Sequence, residues 1–293
     1  MKIAAESIVA SQDVLGECTI WCEREQALWW VDIRGPALKR YNPANGEVRA
    51  LALPEVIGSF GLTRSGKGMI AGMKSGFYFL DPYSGALKPI ATPERDIPTN
   101  RLNDGRVDRT GRFWAGTMSD GERAPVGSLY KLDPDGSCTK MRSDIWIPNS
   151  IAWSPDDRVM YFADTYRGLL WAYDFDIAQG AMRNERVFAE YGNQPGKPDG
   201  SCVDADGCLW NTEYGGARVV RHTPDGRVDR IVELPVSNVT CCCFGGKDFD
   251  TLYISTARQR MTTEQLAREP LAGNIFACRP GVRGLPEARF GDN

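Results

Sequence analysis

An all-β fold, one six-bladed β-propeller of four-stranded blades around a central channel, follows from three observations. Short segments rich in Trp, Tyr, Phe, Val and Ile alternate with turns, and the 31 glycines and 18 prolines are spread along the chain rather than pooled in a linker. A turn followed by an apolar strand recurs six times, at 28–32, 69–73, 113–117, 160–164, 209–213 and 252–256. The starts lie 41, 44, 47, 49 and 43 residues apart, the period of a propeller blade. The repeats run the length of the chain, so residues 1–293 are assigned to a single domain.

Taken in order, the strand-like stretch 2–9 is expected to add the outer strand of the last blade and so remove an exposed edge. Turns at 42–46, 81–85, 133–136 and 223–226 each close a later hairpin of their unit. One helix is expected near 262–268, where Thr262 and Gln265 can form a capping box. Trp21, Trp29, Trp30, Trp114, Trp153, Trp171 and Trp210 fall in or beside strands and are read as packing between blades. Cys202, Cys208, Cys241, Cys242 and Cys243 are read as small core hydrophobes.

Composition removes several function classes. The formal charge is −3 with no basic block, which argues against nucleic acid. No stretch approaches the roughly 18 apolar residues of a membrane span, and the N-terminus does not read as a signal peptide. Nine cysteines without an export signal point to a reducing, cytoplasmic setting and not to a zinc knuckle. The one histidine, His222, lies in a turn-like His-Thr-Pro-Asp-Gly stretch and reads as a surface residue. Chemistry here must therefore run on carboxylates, amides, arginine or a metal held by oxygen.

The first strand of every propeller blade lines the central channel. Ten to fourteen residues before each recurring strand stands a polar side chain: Glu17, Ser59, Asn103, Asn149, Asp199 and Asn238. Brought to one axis, these are a cluster of oxygen donors, costly to bury unless they pair or bind an ion. The set suits a hard divalent cation, with calcium, magnesium or manganese fitting best and zinc also allowed. The bland alternative is that Asn, Asp and Ser simply end strands. Arg101 shares a strand face with Asn103, and Glu122 sits in a glycine-flanked loop able to fold over the channel mouth. An arginine and a carboxylate beside a metal suit a small polyhydroxylated or anionic molecule.

These residues resemble the senescence marker protein / regucalcin / gluconolactonase family. The resemblance is carried by Leu15-Gly-Glu17 with Trp21, by 101–105 leading into 111–118, by 147–156, by Pro198-Asp-Gly200, and by 256–258 ahead of 270–273. It implies a divalent metal held by Glu17, Asn149 and Asp199, and substrate contacts from Arg101, Asn103 and Glu122. It further implies a sugar lactonase that opens a pentono- or hexonolactone to the aldonic acid, with Asp199 as the base for the attacking water. Two other readings stand beside it: a metal-dependent esterase or organophosphatase on the same scaffold, and a non-catalytic calcium-binding propeller. The sequence departs from the family at Cys18, where a proline is usual after the glycine-glutamate pair.

Overall fold

The computed structural model describes residues 2–292. Two short strands lead in, β1 (Lys2–Ala4) and β2 (Glu6–Val9). Blade 1 holds β3 (Gly16–Cys22), β4 (Ala27–Asp32), β5 (Ala37–Asn42) and β6 (Glu47–Ala52). Blade 2 holds β7 (Ile57–Leu62), β8 (Met69–Met73), β9 (Phe77–Leu80) and β10 (Leu87–Ala91). Blade 3 holds β11 (Asn100–Val107), β12 (Phe113–Ser119), β13 (Gly127–Leu132) and β14 (Cys138–Ile145). Blade 4 holds β15 (Pro148–Trp153), β16 (Val159–Asp164), β17 (Leu169–Asp176) and β18 (Ala181–Glu190). Blade 5 holds β19 (Lys197–Val203), β20 (Leu209–Tyr214), β21 (Arg218–His222) and β22 (Val228–Glu233). Blade 6 holds β23 (Val239–Gly245), β24 (Thr251–Thr256), the helix α1 (Thr263–Arg268) and β25 (Ile275–Cys278).

Each blade is an antiparallel meander, and the strands of the sequence repeat are the second of each blade. The first strands β3, β7, β11, β15, β19 and β23 contact one another in turn, and β23 returns to β3, which closes the ring. Burial falls from axis to rim: β3, β7, β15 and β23 are wholly buried, while β6 and β10 are largely open to solvent. That gradient is what an edge-on stack of twisted sheets requires, with the apolar faces pressed between blades.

Aromatic side chains join the blades. Trp21 stacks on Tyr253 at 5.4 Å, Trp114 meets Trp153 edge-on at 6.1 Å, and Trp210 meets Phe244 at 5.6 Å. The seven strand tryptophans are all buried, as the packing reading requires. Buried indole N–H groups need acceptors, and Trp30, Trp114 and Trp210 donate to Asp13, Asp108 and Asp204 at 2.8–2.9 Å. The nine cysteines are free thiols; Cys202, Cys208, Cys241, Cys242 and Cys243 are buried.

Ring closure differs from the expectation for residues 2–9. Only β2 completes blade 6, antiparallel to β25 with Glu6 opposite Ala277. β1 crosses to blade 5 and pairs in parallel with β22, Ile3 opposite Val232, as a fifth strand. The break falls at buried Ala5, whose N–H donates to Glu233 O at 3.2 Å. With four residues, β25 is too short to pair with the whole stretch, and the remainder takes the open edge of β22.

The helix is where the capping box placed it: Thr262 Oγ1 accepts from Gln265 N, and Gln265 Oε1 accepts from Thr262 N. Among the described residues no helix is long and apolar enough to cross a membrane. His222 corrects the surface-turn reading. It ends β21, is 6% exposed, and packs edge-on against Phe188, because the turn begins one residue later. At one end of the channel the C-terminal residues lie across the ring, bridging Asp204 to Gly284 and Thr63 to Phe290. Glu287 reaches Arg106 at 3.5 Å from that strap, so the site opens at the other end.

Candidate active site in the central channel

All six first strands carry a register shift, and in five of them it falls at the polar residue picked out by the repeat phase: Glu17, Ser59, Asn103, Asn149 and Asp199. The sixth shift, in β23, lies at Val239, one residue past Asn238. A bulge turns a side chain out of the alternation of the sheet and so re-aims it, here toward the axis. Cys18 and Ser150, which follow Glu17 and Asn149, take left-handed φ values of 49° and 59°. A proline could not adopt the Cys18 conformation, since its ring fixes φ near −65°.

The strands are also held from behind. Asp32, at the end of β4, accepts the N–H groups of Val14 and Leu15 at 3.0 Å, together with those of Arg34 and Gly35. Asp164, at the end of β16, likewise accepts from Trp146 and Ile147 at 2.9 and 3.2 Å. Each clamp fixes the backbone two residues ahead of a channel side chain, Glu17 or Asn149.

The result is one solvent-open cavity with about 540 Å³ of atom-free space. Glu17, Arg101, Asn103, Asn149 and Asp199 line it together, although they come from four different blades. Ser59 and Asn238 do not. Ser59 is fully buried, with its Oγ unpartnered among the described residues, and Asn238 Nδ2 donates to Gln259 O at 3.2 Å. Glu122 is exposed in the loop after β12 and does not line the cavity. From the same loop Asp120 reaches the site instead, accepting from Arg101 Nε at 2.9 Å and from Arg34 at 2.6 Å.

A run of hydrogen bonds orients the amides. Arg101 donates to Asn103 Oδ1 at 2.7 Å, which turns the Asn103 Nδ2 toward Pro148 O (3.0 Å) and Asn149 Oδ1 (3.3 Å). Asn149 Nδ2 donates to Thr165 Oγ1 at 2.6 Å, and that hydroxyl donates to Pro198 O at 2.7 Å. Asn149 therefore presents its oxygen to the cavity, and Asn103 has both N–H bonds committed.

Burial dominates the electrostatics. It pushes the Glu17 carboxyl up to about 8, reinforced by Asp104, against the Cys18 N–H and the Arg101 charge. Burial and then the neighbouring Glu17 and Asp104 charges hold Asp199 far above the usual carboxylate range. Asp104 itself is raised by burial and opposed by the Ile151 N–H at 3.0 Å. Three carboxylates crowded in low dielectric are costly to ionise together, and a cation among them would relieve that cost. Two carboxylates and an inward amide oxygen are hard donors, so they fit a divalent ion such as calcium, magnesium or manganese. Among the described residues no group of three or more His, Cys, Asp and Glu side chains is placed to hold a metal.

Sequence reasoning passed over Arg34, Thr165, Tyr214 and Arg260, which also line the cavity, and Asp104 and Asp120 beside it. The clamps had a signal: β4, β16 and β20 carry an acidic residue at or next to their last position, Asp32, Asp164 and Glu213. The others sit in connecting segments with no repeat phase.

The family described as SMP-30/Gluconolactonase/LRE-like region matches residues 15–258. Over 292 residues the chain is 39% identical to a 6-deoxy-6-sulfogluconolactonase of Pseudomonas putida, covering 99% of each chain. It is 36% identical over 289 residues to an L-arabinolactonase of Azospirillum brasilense, covering 98% of this chain and 95% of that one. The crystal structure of a calcium-binding protein, regucalcin, from Agrobacterium tumefaciens superposes with a TM-score of 0.94 at 30% identity, covering 99% and 98%.

Proposed function

The chain belongs to the SMP-30/gluconolactonase/LRE-like family, and from that premise we propose that it is a sugar lactonase that opens an aldonolactone to the aldonic acid with a divalent cation at the channel axis. One observation carries the reading: Glu17, Asn149 and Asp199 converge on one open cavity beside Arg101. These three residues would hold the cation, which when bound polarises an ester carbonyl and makes water more acidic.

The chain's own residues supply the rest. Asp199 faces the cavity and takes the proton of the attacking water, a task that needs proximity more than an extreme basicity. Water is then the nucleophile, so neither histidine nor an activated serine is required. Arg101 NH2, which has no protein partner among the described residues, is the free donor for a substrate oxygen. Asn103, its N–H groups already engaged, steers Asn149 and offers a substrate hydroxyl only its Oδ1 lone pair. Asp120 fixes Arg101, a positioning role, whereas Glu122, expected as a substrate contact, does not line the cavity. Leu15, Met118 and Ile147 give the cavity an apolar wall for the carbon face of a sugar ring.

The test is acid release followed at constant pH with glucono-, galactono-, xylono- and arabinonolactones, an aryl ester and a phosphotriester, each corrected for spontaneous opening. Opening of a sugar lactone well above background is expected. Turnover of the aryl ester or phosphotriester alone would replace the lactonase by an esterase, and cation binding without any turnover would leave a binding protein.

A further inference from the structure

The mouth of the cavity carries more positive charge than lactone opening needs. Arg34 and exposed Arg260 line it, Arg101 lies buried behind them, and Asp120 is the carboxylate that serves Arg34 and Arg101. Two guanidiniums at the rim against one carboxylate, itself shared with buried Arg101, leave a surplus of positive charge there, carried by Arg260. Glu17 and Asp199, which line the same cavity, are buried and have Asp104 close to them, so negative charge is buried where positive charge is exposed.

Arg260 is the unexplained member. It forms no hydrogen bond or ion pair with any described residue, although it borders the site. Its backbone is held at φ 63°, a left-handed conformation that residues with a Cβ avoid. The turn around it is tied on three sides. Met261 N donates to Arg258 O at 3.2 Å, and Gln259 N donates to Val14 O at 2.8 Å. Gln259 O accepts from Tyr214 OH at 3.1 Å and from Asn238 Nδ2 at 3.2 Å. An arginine that served only to solvate the surface would need neither the strained φ nor the triple tether.

Resting on the lactonase reading, we propose that the substrate is an aldonolactone with a permanent oxyanion at the end of the sugar away from the lactone carbonyl, and that Arg260 together with Arg34 holds it. The carbonyl lies at the floor with Asp199, and the oxyanion lies at the rim, away from the carboxylates that would repel it. A carboxylate, a sulfonate and a phosphate share this chemistry, and a guanidinium pairs with each through charge-assisted hydrogen bonds.

The experiment uses the full chain loaded with its divalent cation. kcat/KM is measured for gluconolactone and for its counterparts bearing a terminal carboxylate, sulfonate or phosphate, at low salt and with salt added. At least one anionic lactone should exceed the neutral one by about tenfold or more at low salt, with the margin shrinking as salt screens the rim. Arg260→Ala should lower the anionic-to-neutral ratio about tenfold, mainly through KM, and Arg260→Lys should restore part of it. The three anionic arms identify which oxyanion fits. A preference for the neutral lactone, or a ratio unchanged in Arg260→Ala, overturns the proposal. If no lactone opens at all, the lactonase reading fails by itself. The rim is then judged by calorimetric binding of sugar acids with and without the second charge, where a gain lost in Arg260→Ala supports the anion site and no gain removes it.

Discussion

Asn149 offers oxygen and not nitrogen to the axis because Thr165 takes its N–H at 2.6 Å. A hydroxyl that is itself committed to Pro198 O can only accept there, so the amide cannot flip without stranding a donor. Thr165→Val should therefore leave folding cooperative but raise the divalent-cation dissociation constant about tenfold, as seen when the supports of metal ligands are removed. Calorimetric titration of the variant checks this, and an unchanged affinity would show that the amide is oriented by something else. Glu17, Asn149 and Asp199 were legible in the sequence among six residues in phase, because a ring repeats its geometry; phase did not separate them from Ser59 and Asn238, and it was the family resemblance that singled the three out. Thr165, Asp120 and Arg260 were not legible, since each lies in a connection whose path depends on the neighbouring blade. Glu122 shows the same limit: its loop does approach the site, but the carboxylate that arrives is Asp120, two residues earlier.

Strands aim these residues only because their ends are clamped. Asp32 is 5% exposed and satisfies four backbone N–H groups at 2.9–3.1 Å. Asp32→Ala removes the acceptor for all four, and should cost about 2–4 kcal/mol in urea unfolding. Asp32→Asn keeps an acceptor oxygen and should recover about half of that loss. Equal stability of the alanine variant and the parent would mean that β3 is positioned by ladder bonds alone. At this scale the sequence spoke clearly wherever chemistry is local. The turns at 42–46, 81–85, 133–136 and 223–226 each join the third and fourth strands of a blade, and the capping box begins α1. It spoke less clearly where pairing is non-local. The division of residues 2–9 between β25 and β22 depends on the length of a partner some 270 residues away, which no local pattern encodes.

A ring built from one repeated unit is readable as a whole, since the spacing of six strands fixes both the number of blades and the closure of β23 on β3. The interior of that ring sets how the molecule responds to acid. His222, the one histidine of the chain, is buried in blade 5, and desolvation lowers its pKa below the ordinary 6.5 against the weaker pull of the Gly226 carbonyl. The unfolded chain thus takes up a proton near pH 6.5 that the folded protein refuses, and stability falls as the pH drops below that point. Metal-loaded parent protein should lose midpoint denaturant concentration between pH 7.5 and 5.5 faster than His222→Gln; parallel curves would mean that the imidazole titrates freely.

The central claim is that the axis cluster opens a sugar lactone with the help of a cation, and the most direct measurement is the initial rate of lactone opening by chelator-stripped protein as a divalent cation is titrated back, run beside Asp199→Asn. The account predicts a rate near background without cation, a saturable rise on adding it, and a loss of about a hundredfold or more in the variant. A stripped protein that keeps full activity, or an Asp199→Asn protein that matches the parent, would contradict it.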